Sequence, residues 1–175
     1  MIQTARLVLR RPVAADHAPL HAMWSDPAVM ADLGPLKAPE DSAATIARHE
    51  GYRQSHGLGF WTVALRDGGT VIGFCGLKPG AENTPIAGEV EVGWMLAAAH
   101  WRRGYAREAA EASLGWGWAN SDATRIVAIT AAQNRASRAL MERLGMARLG
   151  GFDHPNFAID DPRRETVSYA IGRPA

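Results

Sequence analysis

Hydrophobic and polar positions change period along the chain, and each change marks an element. Residues 5–11 alternate, Leu7 and Leu9 on one side and Arg6 and Arg10 on the other, as a half-buried strand requires. A short helix is expected next, capped by Asp16 and reaching Trp24, with Pro19 tolerated near its first turn. Asp26-Pro27 and Gly34-Pro35 mark turns. A longer helix is expected over residues 39–56: Glu40 and Asp41 suit its start, and Ala43, Ile46 and Ala47 are spaced for one face. Gly51 weakens the pattern towards its end. Residues 60–65 and 70–77 read as a hairpin around Asp67-Gly68-Gly69.

Residues 88–96 alternate through Glu89, Val90, Glu91 and Val92 and then become continuously apolar, a strand half exposed at first and buried later. Residues 104–120 form a helix pattern whose Ala106, Ala109, Ala110 and Leu114 permit close packing. Residues 125–131 read as a buried strand, and 134–144 as a helix that Gly145 stops in the left-handed conformation. Two more strands are expected, 146–152 and 165–171, around a loop rich in proline and aspartate. The order β-α-α-β-β-β-α-β-α-β-β describes an α/β fold with a mixed sheet, not an unbroken βαβ series.

Composition narrows the function classes. At 175 residues the chain fits one domain, residues 1–175, with its own core. Nineteen basic residues against 18 acidic ones leave a net charge of +1, so no overall field draws the chain to nucleic acid or to an anionic membrane. The basic residues are almost all arginine; Lys37 and Lys78 are the two lysines. A single cysteine, Cys75, excludes an internal disulfide and a multi-cysteine zinc site. His17 and His21 have helical metal-pair spacing but no third ligand, so no metal is expected. The charged N-terminus and the short apolar runs give neither a targeting segment nor a membrane span, and a cytoplasmic location is expected.

Two stretches carry candidate chemistry. In the first, Gly93 to Leu96 ends a buried strand, a loop with Arg102, Arg103 and Gly104 follows, and Tyr105, Ala106 and Arg107 open a helix. A helix start has four backbone N–H groups without partners and a positive dipole end; with small residues and arginines around it, it suits a pyrophosphate. A tight turn with solvated arginines is the alternative. In the second stretch, Asn134 and Ser137 open the next helix, and they also read as an ordinary N-cap and a solvated position. No Gly-x-Ser-x-Gly elbow, P-loop or dinucleotide-binding glycine pattern is present.

Together the two stretches resemble the GNAT N-acetyltransferase superfamily, and within it the RimJ/RimL-like branch. Thr4 to Arg10 is similar to that branch's opening strand, Trp24 to Val29 to the segment after its first helix, and Asn134 with Ser137 to its Asn-x-x-Ser helix. The resemblance implies a mostly antiparallel sheet of about seven strands with about four helices, splayed between the fourth and fifth strands. It implies acetyl-CoA as co-substrate and direct transfer of acetyl to a primary amine, a peptide N-terminus or a small molecule, in a monomer or homodimer. The pantetheine arm is then expected against the backbone of Trp94, Met95 and Leu96, and the pyrophosphate on Arg102, Arg103, Gly104, Tyr105, Ala106 and Arg107. Asn134 is expected to contact the pantetheine amide, Ser137 to contact the sulfur and protonate the departing thiolate, and Glu91, on the face of Gly93, to act as base. Glu89, further out on that face, would hold the acceptor's ammonium through water. Met141 stands where many members carry a tyrosine acid, which leaves a catalytically silent acyl-CoA-binding module as the alternative. Arg102 stands where the branch often has glycine, and the position is expected not to need a positive φ, which would strain an arginine. His154 reads as a turn residue or as a wall of the acceptor pocket, and Trp116 and Trp118 as core or interface aromatics.

Overall fold

Alternation at the start of the chain resolves into two strands. The structure, a computed structural model, describes residues 1–174. In it β1 (Ile2–Gln3) pairs antiparallel with β2 (Leu7–Arg10), so the opening strand is shorter than expected and has a small partner. Leu7 and Leu9 are fully buried and Val8 and Arg10 only partly, the burial period of a strand. The hairpin is β3 (Phe60–Leu65) with β4 (Val71–Pro79); β4 runs two residues past its hydrophobic pattern and so brings Lys78 into the sheet. After β5 (Val90–Leu96), β6 (Arg125–Ala131), β7 (Ala147–Asp153) and β8 (Glu165–Gly172), the sheet order is β1-β2-β3-β4-β5-β6-β8-β7. Every neighbouring pair is antiparallel except β5 and β6. The fold is α/β with a mixed, mostly antiparallel sheet of eight strands.

Five helices accompany the sheet: α1 (His17–Trp24), α2 (Pro27–Met30), α3 (Pro39–His56), α4 (Tyr105–Asn120) and α5 (Arg135–Arg143). The Asp26-Pro27 pair opens α2, the Asp26 carboxylate accepting the Ala28 N–H at 2.8 Å. Asp16 precedes α1 without capping it. A 3-10 turn (Ala14–Asp16) runs straight into the helix, and the Asp16 carboxylate turns to the sheet. There it accepts two N–H groups of Arg10 at 2.6 and 2.8 Å, the Val13 N–H and the Thr62 hydroxyl. Helix α3 keeps its expected bounds, with proline first and Gly57 at φ 69° after the last turn. Its buried face differs from the expected one: Ser42, Thr45, Ile46 and His49 point inward, while Ala43 and Ala47 are exposed.

Helices α4 and α5 cover one face of the sheet through Leu77, Val92, Ala110, Leu114, Ile126 and Met141. Helices α1 and α3 cover the other through Trp24, Ile46, Phe60, Phe74 and Met95. A Cβ on Gly117 would stand 2.6 Å from Leu77 Cδ1, so the small residues of α4 are what let it lie close to the sheet. Each fully buried leucine or phenylalanine in these layers contributes about 2–3 kcal/mol. Trp116 packs edge-on against Trp61, as a core aromatic. Among the described residues no helix is long and apolar enough to cross a membrane.

Candidate active site

Strands β5 and β6 pair only at Val90–Ile126 and Glu91–Val127. Both continue beyond that point, to Leu96 and Ala131, with no ladder between them. This opening is the expected splay. The Ala97 N–H bonds the Ile72 carbonyl at 2.9 Å, which sets the parity of the β4–β5 ladder. Backbone groups of Glu91, Gly93 and Met95 turn to β4, and those of Trp94 and Leu96 turn to the opening. The Leu96 carbonyl accepts the Trp101 indole N–H at 2.8 Å. Of the three residues expected along the arm, Met95 therefore commits its backbone to β4 and Leu96 keeps only its N–H. Trp94 presents both groups.

Past β5 a 3-10 turn (Ala98–His100) leads to the start of α4. Arg102 lies there at φ 58°, contrary to the expectation of a negative φ, and Gly104 at φ 80°. A left-handed arginine costs about 1–2 kcal/mol. Among the described residues the backbone N–H groups of Arg102 through Arg107 have no hydrogen-bond acceptor. Six consecutive unspent donors among the exposed Arg102, Arg103 and Arg107 are the arrangement that an anion site requires. Arg107 is partly spent on Glu111, at 2.7 Å. From the start of the chain Arg6 braces this loop: its guanidinium donates to the Arg103 carbonyl at 2.9 Å and lies 4.6 Å from the centre of the Tyr105 ring.

A cavity of about 300 Å³ runs from the opening towards α1 and α3. It brings together Glu91, Trp94, Met95 and Ser137 of the expected residues, with Met141 beside them, and does not include Leu96, Asn134 or the 102–107 loop. Glu91 and Gly93 share a face, as expected: a Cβ on Gly93 would stand 2.7 Å from Phe60 Cζ on the α3 side. Glu91 is 5% exposed, and Lys78, directly opposite on β4, donates to its carboxylate. Burial pushes the Glu91 carboxyl up from its ordinary value, with the charge and hydrogen bond of Lys78 opposing in part. Glu89 departs from its expected role. It precedes β5, is held by Arg125 at 2.5 and 3.1 Å and lies outside the cavity.

Asn134 caps α5, its Oδ1 accepting the Ser137 N–H at 3.0 Å. The Ser137 hydroxyl has no hydrogen-bond partner among the described residues and lines the cavity one turn before Met141. A serine hydroxyl, a buried carboxylate of raised pKa and a strand edge with free backbone groups thus meet at one cavity, and the strand leads on to a helix start with unspent N–H groups. The family model for the Acetyltransferase (GNAT) domain matches residues 6–147. The chain belongs to this family.

This GNAT-family chain is 30% identical over 145 residues to the uncharacterized protein YkkB of Bacillus subtilis, covering 82% of this chain and 83% of that one. A crystal structure of an acetyltransferase from Agrobacterium tumefaciens superposes with a TM-score of 0.79 at 28% identity, over 97% of this chain and 92% of that one. The spermidine N-acetyltransferase of Vibrio cholerae, solved with CoA and spermine, shares the fold with a TM-score of 0.77 at 18% identity, over 97% of both chains.

The cavity also contains residues to which the sequence assigned no role in a site: Lys37, Arg48, His49 and Lys78. His49 is 5% exposed, its ring centre lies 4.2 Å from that of Phe60, and its Nδ1 has no partner among the described residues. Burial, then the charges of Arg48 and Lys78, push its pKa down to about 3. A histidine at a helical position facing aromatic strands was the available signal, but only the fold shows that it faces a cavity. His154 serves a turn, its Nδ1 accepting the Asn156 N–H at 3.2 Å, and stays outside the cavity. His21 bonds the Ser42 hydroxyl at 2.9 Å.

Proposed function

We propose that this acetyltransferase moves acetyl from acetyl-CoA to a primary amine by direct attack in a ternary complex. The observation that carries the reading is the presence together of three features. These are a strand edge with no neighbour from Trp94 onward, a run of unspent N–H groups at 102–107, and a cavity that joins Glu91 to Ser137. An extended pantetheine arm matches the first, and a pyrophosphate the second. Acetyl-CoA would supply the thioester, and the residues of this chain would do the rest.

In this reading the Trp94 N–H, turned into the opening, donates to the thioester oxygen, an interaction worth about 3–4 kcal/mol in comparable sites. Glu91 takes the proton of the attacking amine, directly or through water. Burial raises its pKa, which makes it a stronger base than an ordinary glutamate. The Ser137 hydroxyl donates to the departing thiolate. Asn134 meets the pantetheine amide with its Nδ2, because its Oδ1 is spent on the cap. Assignment to the RimJ/RimL-like branch rests on the resemblance of Thr4 to Arg10 and Trp24 to Val29 to that branch's segments.

One residue favours a second reading. Met141 is buried in the cavity where many relatives have a tyrosine, so a silent acyl-CoA-binding module has a structural basis. Calorimetric titration with acetyl-CoA, followed by thiol-release assays over a panel of primary amines, separates the two. Binding with amine-dependent release is the expected result. Binding without release for every amine supports the module, and no binding ends both readings. Cys75 does not disturb the thiol signal, because burial pushes its pKa up to about 12.

A further inference from the structure

We infer that the acceptor is a small primary amine bearing an anionic group, a carboxylate or a phosphate, held by Lys37 and Arg48 at the outer end of the cavity. The inference rests on the acetyl-transfer reading of the same cavity and names its substrate class.

The charge on the acceptor side is one-sided. Lys37, Arg48 and Lys78 line it against a single carboxylate, Glu91, and Lys78 is already paired with Glu91. His49 stays neutral and cancels nothing. Neither Lys37 nor Arg48 has a carboxylate within salt-bridge distance among the described residues. Asp41, whose charge acts on Lys37 as the smallest of the three influences, has its carboxylate on the Ala38 N–H at 3.3 Å, where it serves the start of α3. Lys37 and Arg48 line the same cavity, and half-burial of Lys37, then the Arg48 charge, push the Lys37 pKa down. Two cations on one cavity with no carboxylate in salt-bridge contact, one of them half buried, form an arrangement that an anion relieves.

The sequence provides an independent observation. Arginine fills nearly every cationic position of this chain, and its only two lysines are Lys37 and Lys78. Both line this one cavity. An ammonium is a compact point charge on a flexible stem, suited to a carboxylate or phosphate oxygen at the end of a small ligand. The fold holds Lys37 in place: its N–H bonds the Trp24 carbonyl at 3.0 Å, which ties the segment after α2 to the end of α1. A substrate entering here would lay its anion between Lys37 and Arg48 and its amine beside Glu91. A polyamine would bring more positive charge to a wall already positive.

The test compares amines of similar size in the thiol-release assay: a carboxylate-bearing amine, a phosphate-bearing amine, an uncharged alkylamine and a diamine. At low salt the better of the two anionic amines is expected to exceed the uncharged one in kcat/KM by about tenfold or more. Which of the two leads distinguishes carboxylate from phosphate. In Lys37→Gln/Arg48→Gln the ratio of anionic to uncharged amine falls to about one, whereas Arg48→Lys keeps most of it. Preference for the uncharged amine or the diamine, or a ratio that the double substitution leaves intact, overturns the inference. If acetyl-CoA binds but no amine is acetylated, the transfer reading fails and binding decides this one. Calorimetry of the same amines on the CoA complex then either shows anion binding that Lys37→Gln/Arg48→Gln abolishes, which sustains it, or shows none, which ends it.

Discussion

Arg6 and Glu108 lie 102 positions apart and meet through two hydrogen bonds, the Arg6 N–H to Oε1 at 2.8 Å and its Nε to Oε2 at 2.7 Å. The Thr4 hydroxyl adds a third at 2.6 Å. Glu108 sits in the first turn of α4, next to the unspent N–H groups, so the opening segment of the chain fixes where that helix begins.

Glu108→Ala should therefore loosen the helix start more than it destabilises the protein. The expected loss of stability is about 1–2 kcal/mol, that of leaving the Arg6 N–H and the Thr4 hydroxyl without a partner. The KM for acetyl-CoA should rise by about tenfold, equivalent to roughly 1.4 kcal/mol, with a smaller change in kcat. Urea unfolding and steady-state kinetics measure the two effects. A KM that stays at the wild-type value would remove this pair from the binding site.

Arg102 tests backbone against charge. Its φ of 58° is one that glycine adopts freely, so Arg102→Gly should leave stability within about 1 kcal/mol of wild type in either direction. The same change removes a cation beside the proposed pyrophosphate, and acetyl-CoA affinity should drop several-fold, less so at high salt. Calorimetry at two ionic strengths checks both halves.

Glu91 should set the acidic limb of the pH profile. A base works only when ionised, and burial raises its pKa, so kcat/KM climbs with pH through a value above that of an ordinary glutamate. Glu91→Gln should cost about 100-fold or more and flatten that limb. Lys78→Met removes the charge that holds the pKa down, so its limb should move to higher pH. An unchanged profile in Glu91→Gln across pH 6 to 9 would falsify the assignment.

His49 gives a stability signature. Its pKa is about 3 in the fold and near 6.5 in the unfolded chain. The folded state stays neutral while the unfolded state takes a proton, so this contribution is complete above pH 6.5 and is lost as the pH falls towards 3. At pH 4.5 the loss is on the order of 2–3 kcal/mol. Comparing urea midpoints of wild type and His49→Phe at pH 7.5 and 4.5 should show a smaller pH effect in the variant. Equal pH effects in the two proteins would mean that His49 is charged or solvated in the fold.

Much of the candidate site was legible in the sequence because its signals are local. The apolar run ending at Leu96, the glycine at 104 and the Asn134–Ser137 start each lie within a few residues of the groups they position. Helix α3 was misread on its faces for a reason tied to function. Its alanines suit a packing stripe, but Thr45 and His49 line a cavity and Ser42 meets His21 of α1, so the inward face is polar and the alanines face solvent. Asp16 was misread because its partner Thr62 arrives from a strand 46 residues away.

From the sequence alone come the strand and helix order, the family resemblance and the residues flanking the splay, since backbone periodicity and turn chemistry act over a few neighbours. The tertiary structure alone decides which groups share a space. It places Lys78 against Glu91, gathers Lys37, Arg48 and His49 around one cavity, and turns Arg102 left-handed. Distance between charges, burial and loop closure depend on how distant segments pack, and no local pattern carries that information.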